Sequence, residues 1–542
     1  MRKIFVSFLC VIMVMVFMPT MVFAAEGNVA KVDDTEYTTL AAAVEAAEDG
    51  DAIELLANAE AAGIKIEDKS LTFNLNGYTI KGTTDASYLF SPWGNETTTV
   101  FNGGTLEVVR QVPGSMAVQV VGGTCTFNDM EVRVVVPNGT NDYNYGIKAF
   151  GNVDGYDSVH VAFNDSRMIE VEDPDVAETY GLAGLTVMGK YENADVMADP
   201  TVCTNDAVLE INNSYVEATS FAVSGNGSAH GTKIDINNSD LVSKEATAIY
   251  HPQLGEMNIS GGSITGVTGI EVRAGVVNLK DNVEIIATGD STEVDPNGNG
   301  TTSTGAAVAV AQHTTKLPIA LNVENASLTG ASAVVANNPQ KNTAEDIEKI
   351  AINLNGGNFY GLVQTNDGGA LNVAGGAYDN LGENVNVVAA DVAELTLSDV
   401  PLTVVGLDKI NEVVKAAPAG TELVITKAAE NSSITVPEGV IVKNNADAAI
   451  KVNDEVLAAG QTVTVVVPDD EKDPATGDDQ KDPATGDDNK GDTDAGKDPV
   501  KEPTEGTPEK TGDANDIVLW LALMALTAAA LAGTAAYSRK RG

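Results

Sequence analysis

The chain is expected to be all-β: a right-handed parallel β-helix (solenoid) with an N-terminal helical cap, a small C-terminal β module, a disordered stalk and a single C-terminal transmembrane helix. Three observations predict this. An eight-residue frame recurs, a second short repeat lies between its copies, and an apolar span followed by a basic tail closes the chain. The frame reads apolar, any, apolar, usually Asn, then Gly, Asn or Asp, two free positions, apolar. Its copies run Phe73–Ile80, Thr99–Leu106, Cys125–Val132, Val161–Met168, Leu209–Val216, Ile234–Leu241, Met257–Ile264, Val277–Glu284, Leu321–Leu328, Ile352–Phe359 and Leu371–Tyr378. The fifth residues, among them Gly77, Asp129, Asn213, Asn238, Gly261, Asn325, Gly356 and Gly375, all tolerate positive φ. The third residues are apolar throughout, so each copy reads as a short strand, a sharp turn and a second strand. Thr99 and Glu284 break the pattern where apolar residues are expected.

The second repeat is a small residue followed by an apolar one: Ala117-Val118, Gly146-Ile147, Gly181-Leu182, Ala222-Val223, Ala248-Ile249, Gly269-Ile270, Ala307-Val308, Ala333-Val334 and Gly361-Leu362. Each unit thus carries three short apolar segments. Units of this length cannot bury their own apolar faces and must stack. A leucine-rich repeat would need a different Leu/Asn spacing and one strand per unit.

Residues 1–24 read as a secretory signal: Arg2 and Lys3, an apolar run from Ile4 to Phe23, and a small-residue cleavage site at Val22-Phe23-Ala24. Residues 25–384 form the solenoid with its cap. Thr38-Thr39 precede an Ala-rich helical segment, and Ala52 to Leu56 reads as a strand. A short helix there would cover the open apolar end. Residues 385–467 lose the frame and read as a small α/β or β module: a helix over Leu407 to Ala416 and strands at Glu422–Ile425, Val440–Val442 and Val463–Val466. Residues 468–516 are mostly Asp, Lys, Pro, Gly and Thr, and form the acidic stalk. Residues 517–537 are apolar and uncharged, long enough to span a bilayer. Residues 538–542 carry Arg539-Lys540-Arg541, which places the C-terminus inside. Removal of the signal leaves Cys125 and Cys203. Cys125 takes an inward frame position and reads as a buried free thiol, with a disulfide as the alternative in an exported protein.

The N-terminal segment, the Leu75-Asn76-Gly77 turn, and Ile249 to Gln253 followed by Ile259 to Gly266 resemble bacterial surface proteins of the pectin-lyase-like β-helix class. The stalk, span and basic tail resemble the cell-wall sorting signal of Gram-positive bacteria. That family's motif is Leu-Pro-x-Thr-Gly; here Pro508-Glu509-Lys510-Thr511-Gly512 keeps the Thr and Gly, but its Pro stands one position early and no Leu precedes it. The resemblance implies tethering to membrane or wall, with sortase and peptidoglycan as partners.

The formal charge of −45 disfavours nucleic acid and anionic lipid as partners. Lyases of the resembled class need carboxylates holding Ca²⁺ beside an Arg or Lys base. Polygalacturonase-like hydrolases need clustered Asp and a Gly-His-Gly turn, to which Ala229-His230-Gly231 is the nearest match. Alternation turns Lys148, Tyr250, Glu271 and Arg273 outward on the third strand, where Lys148 and Arg273 are the candidate bases or else solvated charges. Asp295-Pro296-Asn297-Gly298-Asn299-Gly300 matches the first half of a calcium loop, but Ala306 stands where the closing Glu belongs, so a flexible loop is the competing reading. No catalytic residue, metal site or other cofactor is assigned. Tyrosines concentrate between Tyr143 and Tyr191, where the gaps between frames are longest. Tyr145 and Tyr180 precede the small residue of the third strand and are expected at turns, whereas Tyr143, Tyr156 and Tyr191 are freer to stack on sugar rings. The candidate ligand-binding set is therefore Tyr143, Lys148, Tyr156, Tyr191, Tyr250 and Arg273.

The expected function is that of an exported adhesin or glycan-binding display protein at a bacterial surface, with an extracellular glycan or a host or matrix protein as partner. An extracellular polysaccharide lyase or glycosidase, and a purely structural surface protein, are the alternatives. Deletion of everything beyond Asp516 is expected to release the body into the medium; a truncated chain still bound to cells on fractionation would remove the tether.

Overall fold

The computed structural model describes residues 27–84, 87–110, 114–136, 144–172, 181–298, 300–382 and 384–466. The signal, stalk, span, basic tail and sorting-like motif lie outside them. Among the described residues no helix is long and apolar enough to cross a membrane. Two compact units are present: the chain to Ala389 together with Leu402–Gly406, and Ala390–Pro401 together with the chain from Leu407.

The first unit is a coil of three parallel ladders. In the first, Ile53, Phe73, Phe101, Phe127, Phe163, Ile211, Ile236, Ile259, Leu279, Val323, Leu354, Val373 and Val387 stack in unbroken parallel register. Alternate residues point inward, so the strands show the buried–half-buried alternation seen in Ala207–Asn212 and Thr232–Asn237. The phenyl rings pile face to face, with centroids 4.9 Å apart for Phe73–Phe101 and 5.2 Å for Phe101–Phe127. The second ladder carries Leu106, Val132, Met168, Val216, Leu241 and Ile264, and the third Val118, Ile147, Leu185, Val223, Ile249, Ile270, Val308 and Val334. A parallel solenoid is thus the observed architecture of this unit.

The turn between the first two ladders follows the expected chemistry in most coils. Asp129, Asp165, Asn213 and Asn238 hold φ of 52°, 47°, 49° and 46°. Their backbone amides reach the next coil, Asn213 N–H to Asn237 O at 3.0 Å and Asn238 N–H to Ser260 O at 2.9 Å. Three departures have local causes. Phe73, not Leu75, stacks on Phe101, because both Asn76 and Gly77 enter the left-handed region and the first turn gains two residues. Glu284 is no break: Asp281 and Asn282 both have positive φ, the turn is one residue longer, and Ile285 takes the apolar place against Ile264. Asn325, Gly356 and Gly375 are not left-handed; in the last two coils that role passes to Gly357 and Gly376.

The small residue of the second repeat sits where two ladders meet. A Cβ on Gly269 would collide with the Ala307 carbonyl oxygen and with Ile285. Two expected pairs are displaced. Leu185, not Leu182, stacks between Ile147 and Val223, and Val363, not Leu362, lies against Val334.

The cap is the helix Leu40–Ala46, whose Leu40, Ala43 and Val44 are buried. Thr39 accepts from the Ala42 amide at 3.2 Å, and Lys69 Nζ donates to the Val44 and Ala47 carbonyls at the other end. At the far edge, Val405, Val404 and Thr403 pair antiparallel with Gly376, Ala377 and Tyr378. Within the second unit, Val392–Leu397 pairs antiparallel with Glu422–Lys427, which pairs parallel with Ile441–Asn444. Its helix spans Leu407–Val414. Cys125 is buried in the first ladder and both described cysteines are free.

Asn213→Val places a β-branched residue at a left-handed position. The expected cost is about 1–2 kcal/mol, read as a lower unfolding midpoint; an unchanged midpoint would show that the turn relaxes freely.

Candidate functional site

The third ladder builds the site. The residue after each small–apolar pair points outward, and these residues align in one row: Gln119, Lys148, Thr186, Ser224, Tyr250, Glu271, Ala309 and Val335. The middle of this row floors a groove of about 490 Å³. Its rings are Tyr145, Phe221 and Tyr250, with Phe221 and Tyr250 stacked at 5.4 Å. Thr186 and Ser224, whose hydroxyls lie 2.7 Å apart, form the floor, and Asn226, Ser228 and His313 supply polar edges. Among the described lining residues the only charge is Lys148, and none is a carboxylate.

Lys148 Nζ sits 3.8 Å from the Tyr145 ring centroid and 5.2 Å from that of Phe150. No described carboxylate forms an ion pair with it. Burial pulls its ammonium down to about 8; the two rings act in the opposite sense by attracting the cation. His313 is pushed down to about 4, chiefly by burial and further by Arg273 and His230. Its Nδ1 accepts from the Thr315 amide at 3.3 Å, which leaves the proton on Nε2 in the neutral ring.

Downstream of Tyr250 the row is roofed. The segment after Thr288 folds back onto Glu271, which meets Thr302 and Ser303; Glu271 and Ala309 are 0% exposed and Val335 1%. Arg273, expected to face solvent, is also 0% exposed. Its guanidinium donates to the carbonyls of Gly300 at 2.6 Å and Asn297 at 3.2 Å, and to that of Ala311. Two carbonyls of the expected half calcium loop are therefore occupied by a guanidinium. Among the described residues no cluster of three or more His, Cys, Asp or Glu could hold a metal. Glu271 accepts from the Thr302 amide and hydroxyl and from the Ser303 amide. Burial raises its carboxyl to about 6 against those hydrogen bonds. The Gly300 amide donates to the Tyr250 hydroxyl at 3.0 Å. The loop is thus pinned from below by three side chains. Alternation correctly turned Glu271 and Arg273 away from the coil core; solvent does not reach them because the inserted segment does.

Of the tyrosines expected to be free to stack on sugar rings, the two that are described, Tyr156 and Tyr191, do not line the groove. Tyr156 packs edge-on against Trp93 at 5.6 Å. Tyr191 packs beside Val196, Ala274 and Leu317, with its hydroxyl near Thr204 and Asp206. Tyr143 and Tyr180 lie outside the described residues. Tyr145, expected at a turn, lines the groove instead. His230 is fully buried: Nδ1 accepts from the Leu254 amide at 3.0 Å and Nε2 faces Asn193 Oδ1 at 2.6 Å. It orders the backbone there and does not reach the groove. Thr186, Ser224 and His313 were missed by sequence reasoning. The first two were legible as the residues following Gly184-Leu185 and Ala222-Val223; the displaced Gly181-Leu182 pair hid Thr186.

No protein-family model, curated protein or solved structure gives a significant match to this chain.

With a pKa of about 8, roughly one Lys148 in ten is neutral at pH 7, far more than for a lysine at its ordinary value. Limiting acetic anhydride at that pH is expected to label Lys148 ahead of exposed lysines on mass spectrometry. Labelling no faster than the others would mean that the rings hold the cation against burial.

Proposed function

We propose that the protein is a surface-tethered adhesin or glycan-binding display protein of a bacterial envelope, and that the groove over Lys148, Thr186, Ser224 and Tyr250 is its binding surface. The observation that carries this reading is the groove's lining: aromatic faces beside hydroxyls and an amide and, among the described residues, one cation with no ion-pair partner and no carboxylate. Rings stack on the apolar faces of sugars, and hydroxyls and amides satisfy their hydroxyl groups. The same lining weighs against a glycosidase, which needs two carboxylates across the scissile bond. Export and C-terminal anchoring rest on residues 1–24 and 508–541 of the sequence. The winding is taken as right-handed on the general rule for parallel crossovers.

A second reading, polysaccharide lyase, rests on the place of Lys148 in the groove lining with no described carboxylate paired to it, where burial lowers its ammonium to about 8 and so toward a base near neutral pH. Appearance of an unsaturated uronate product on incubation with acidic polysaccharides would establish it.

Each ring contact is worth about 1 kcal/mol, so single-site affinity is weak and surface multiplicity supplies avidity. Tyr145→Ala is expected to lower glycan affinity roughly fivefold while the melting temperature stays nearly constant. Calorimetry with glycans selected on an array checks this, and unchanged affinity would move the binding surface elsewhere.

A further inference from the structure

We infer that the groove recognises the end of a polysaccharide chain, its terminal sugar seated against a wall made by Tyr250, Gly300 and His313. This rests on the glycan reading above and adds what part of the glycan is read. A bare solenoid would present the outer row as a continuous trough, since its positions repeat about every 4.8 Å. A linear polymer could then lie along it with both ends free. Here the trough stops. The next row positions, Glu271 and Ala309, are 0% exposed, and Glu271 lies under Thr302 and Ser303 of the segment after Thr288. From Tyr250 back to Lys148 the row spans three rung spacings, about 14 Å. That length and a volume of about 490 Å³ suit a short oligosaccharide.

The wall is fixed rather than a loose flap. Arg273 donates to two of its carbonyls, Glu271 accepts from Thr302 and Ser303, and Gly300 N–H is held by Tyr250. It also carries donors. The Tyr250 oxygen already accepts from Gly300, so its proton is available to a ligand. His313 keeps its proton on Nε2 because Nδ1 accepts from Thr315, and it is only 6% exposed. An interior sugar passing this point would need an exit that the wall occupies. A terminal sugar needs none, and its hydroxyl or ring oxygens meet both donors.

The test uses the full-length chain with two probes, a neutral soluble glucan and a uronate polymer, each intact and partially depolymerised, at equal mass. End recognition predicts that the protein bound per gram rises in proportion to the number of chain ends. Equal capacity per gram before and after scission overturns end recognition while leaving glycan binding intact. Failure of both polymers and of their oligosaccharides to bind overturns the glycan reading and this one with it. His313→Leu is expected to weaken oligosaccharide binding about fivefold or more, whereas His313→Gln, which keeps an N–H donor, retains most of it at the same melting temperature. Equal loss in both variants would overturn the donor role of the wall.

Discussion

The coil is held in register by side-chain amides, and the rest of the structure depends on that register. Parallel stacking places the same position of each coil directly above the last. An Asn there has one amide group to give and one oxygen to receive, so it can continue a ladder indefinitely. Two such ladders run along the outside of the first strands. In one, Asn237, Asn212, Asn164, Asn128 and Asn102 each donate to the preceding member, ending on Asn74. In the other, Asn386, Asn372, Asn353, Asn322, Asn278 and Asn258 do the same in turn. A ladder with this polarity needs a terminal group that only accepts. Asn74 donates to Glu54, and Asn258 donates to Asp235. Both ladders thus begin on a carboxylate, and Glu54 is held below its ordinary range by the amides of Asn76 and Asn74. A one-residue slip would turn every one of these amides into the apolar interior, so register and core specify each other.

This explains how much was legible. The frame was readable because each of its positions answers a local demand: apolar side chains inward, an amide outward, a left-handed residue at the corner. Where the sequence reading went wrong, it misjudged turn length. Leu75 and Glu284 were assigned by counting from one end of an eight-residue window, and a corner that uses two left-handed residues breaks the count. A further regularity was overlooked. Ser166, Ser214 and Ser239 follow the corner residue, and each accepts a backbone amide from the coil before it, at 3.0 Å. The Asn-Asn-Ser triplets at Asn212 and Asn237 are therefore corner motifs, visible in the sequence once the corner is seen to need both a left-handed residue and a hydroxyl.

The site was less legible because it depends on an insertion. Periodicity says which residues leave the core, and it turned Lys148 and Tyr250 off the coil core; Lys148 is half-buried, whereas Tyr250, expected to face solvent, is only 8% exposed. It says nothing about what folds back onto them. The segment after Thr288 reads as loop by composition, rich in Gly, Asn, Ser and Thr, and such segments usually stay on the surface. Here the decisive residues lie in the strand beneath it. An Arg and a Glu two positions apart would be costly to bury alone. Between them they satisfy the carbonyls and amides of a segment with no regular ladder of its own, and that exchange makes the covered conformation stable.

The charge balance gives the groove its character. With 77 acidic residues against 32 lysines and arginines, several outward cations in this chain find a carboxylate. Lys81 pairs with Glu107, Lys233 with Asp235, Lys244 with Glu217 and Lys316 with Asp346, each at 3.0 Å or closer. Lys148 occupies an equivalent outward position and is met by the rings of Tyr145 and Phe150. Rings attract a cation without neutralising it. The charge therefore stays available to whatever enters the groove, in a lining where aromatic and hydroxyl groups do the remaining work of contact. Among the described residues this stretch of one strand row thus brings together rings, hydroxyls and a cation that no described carboxylate pairs with.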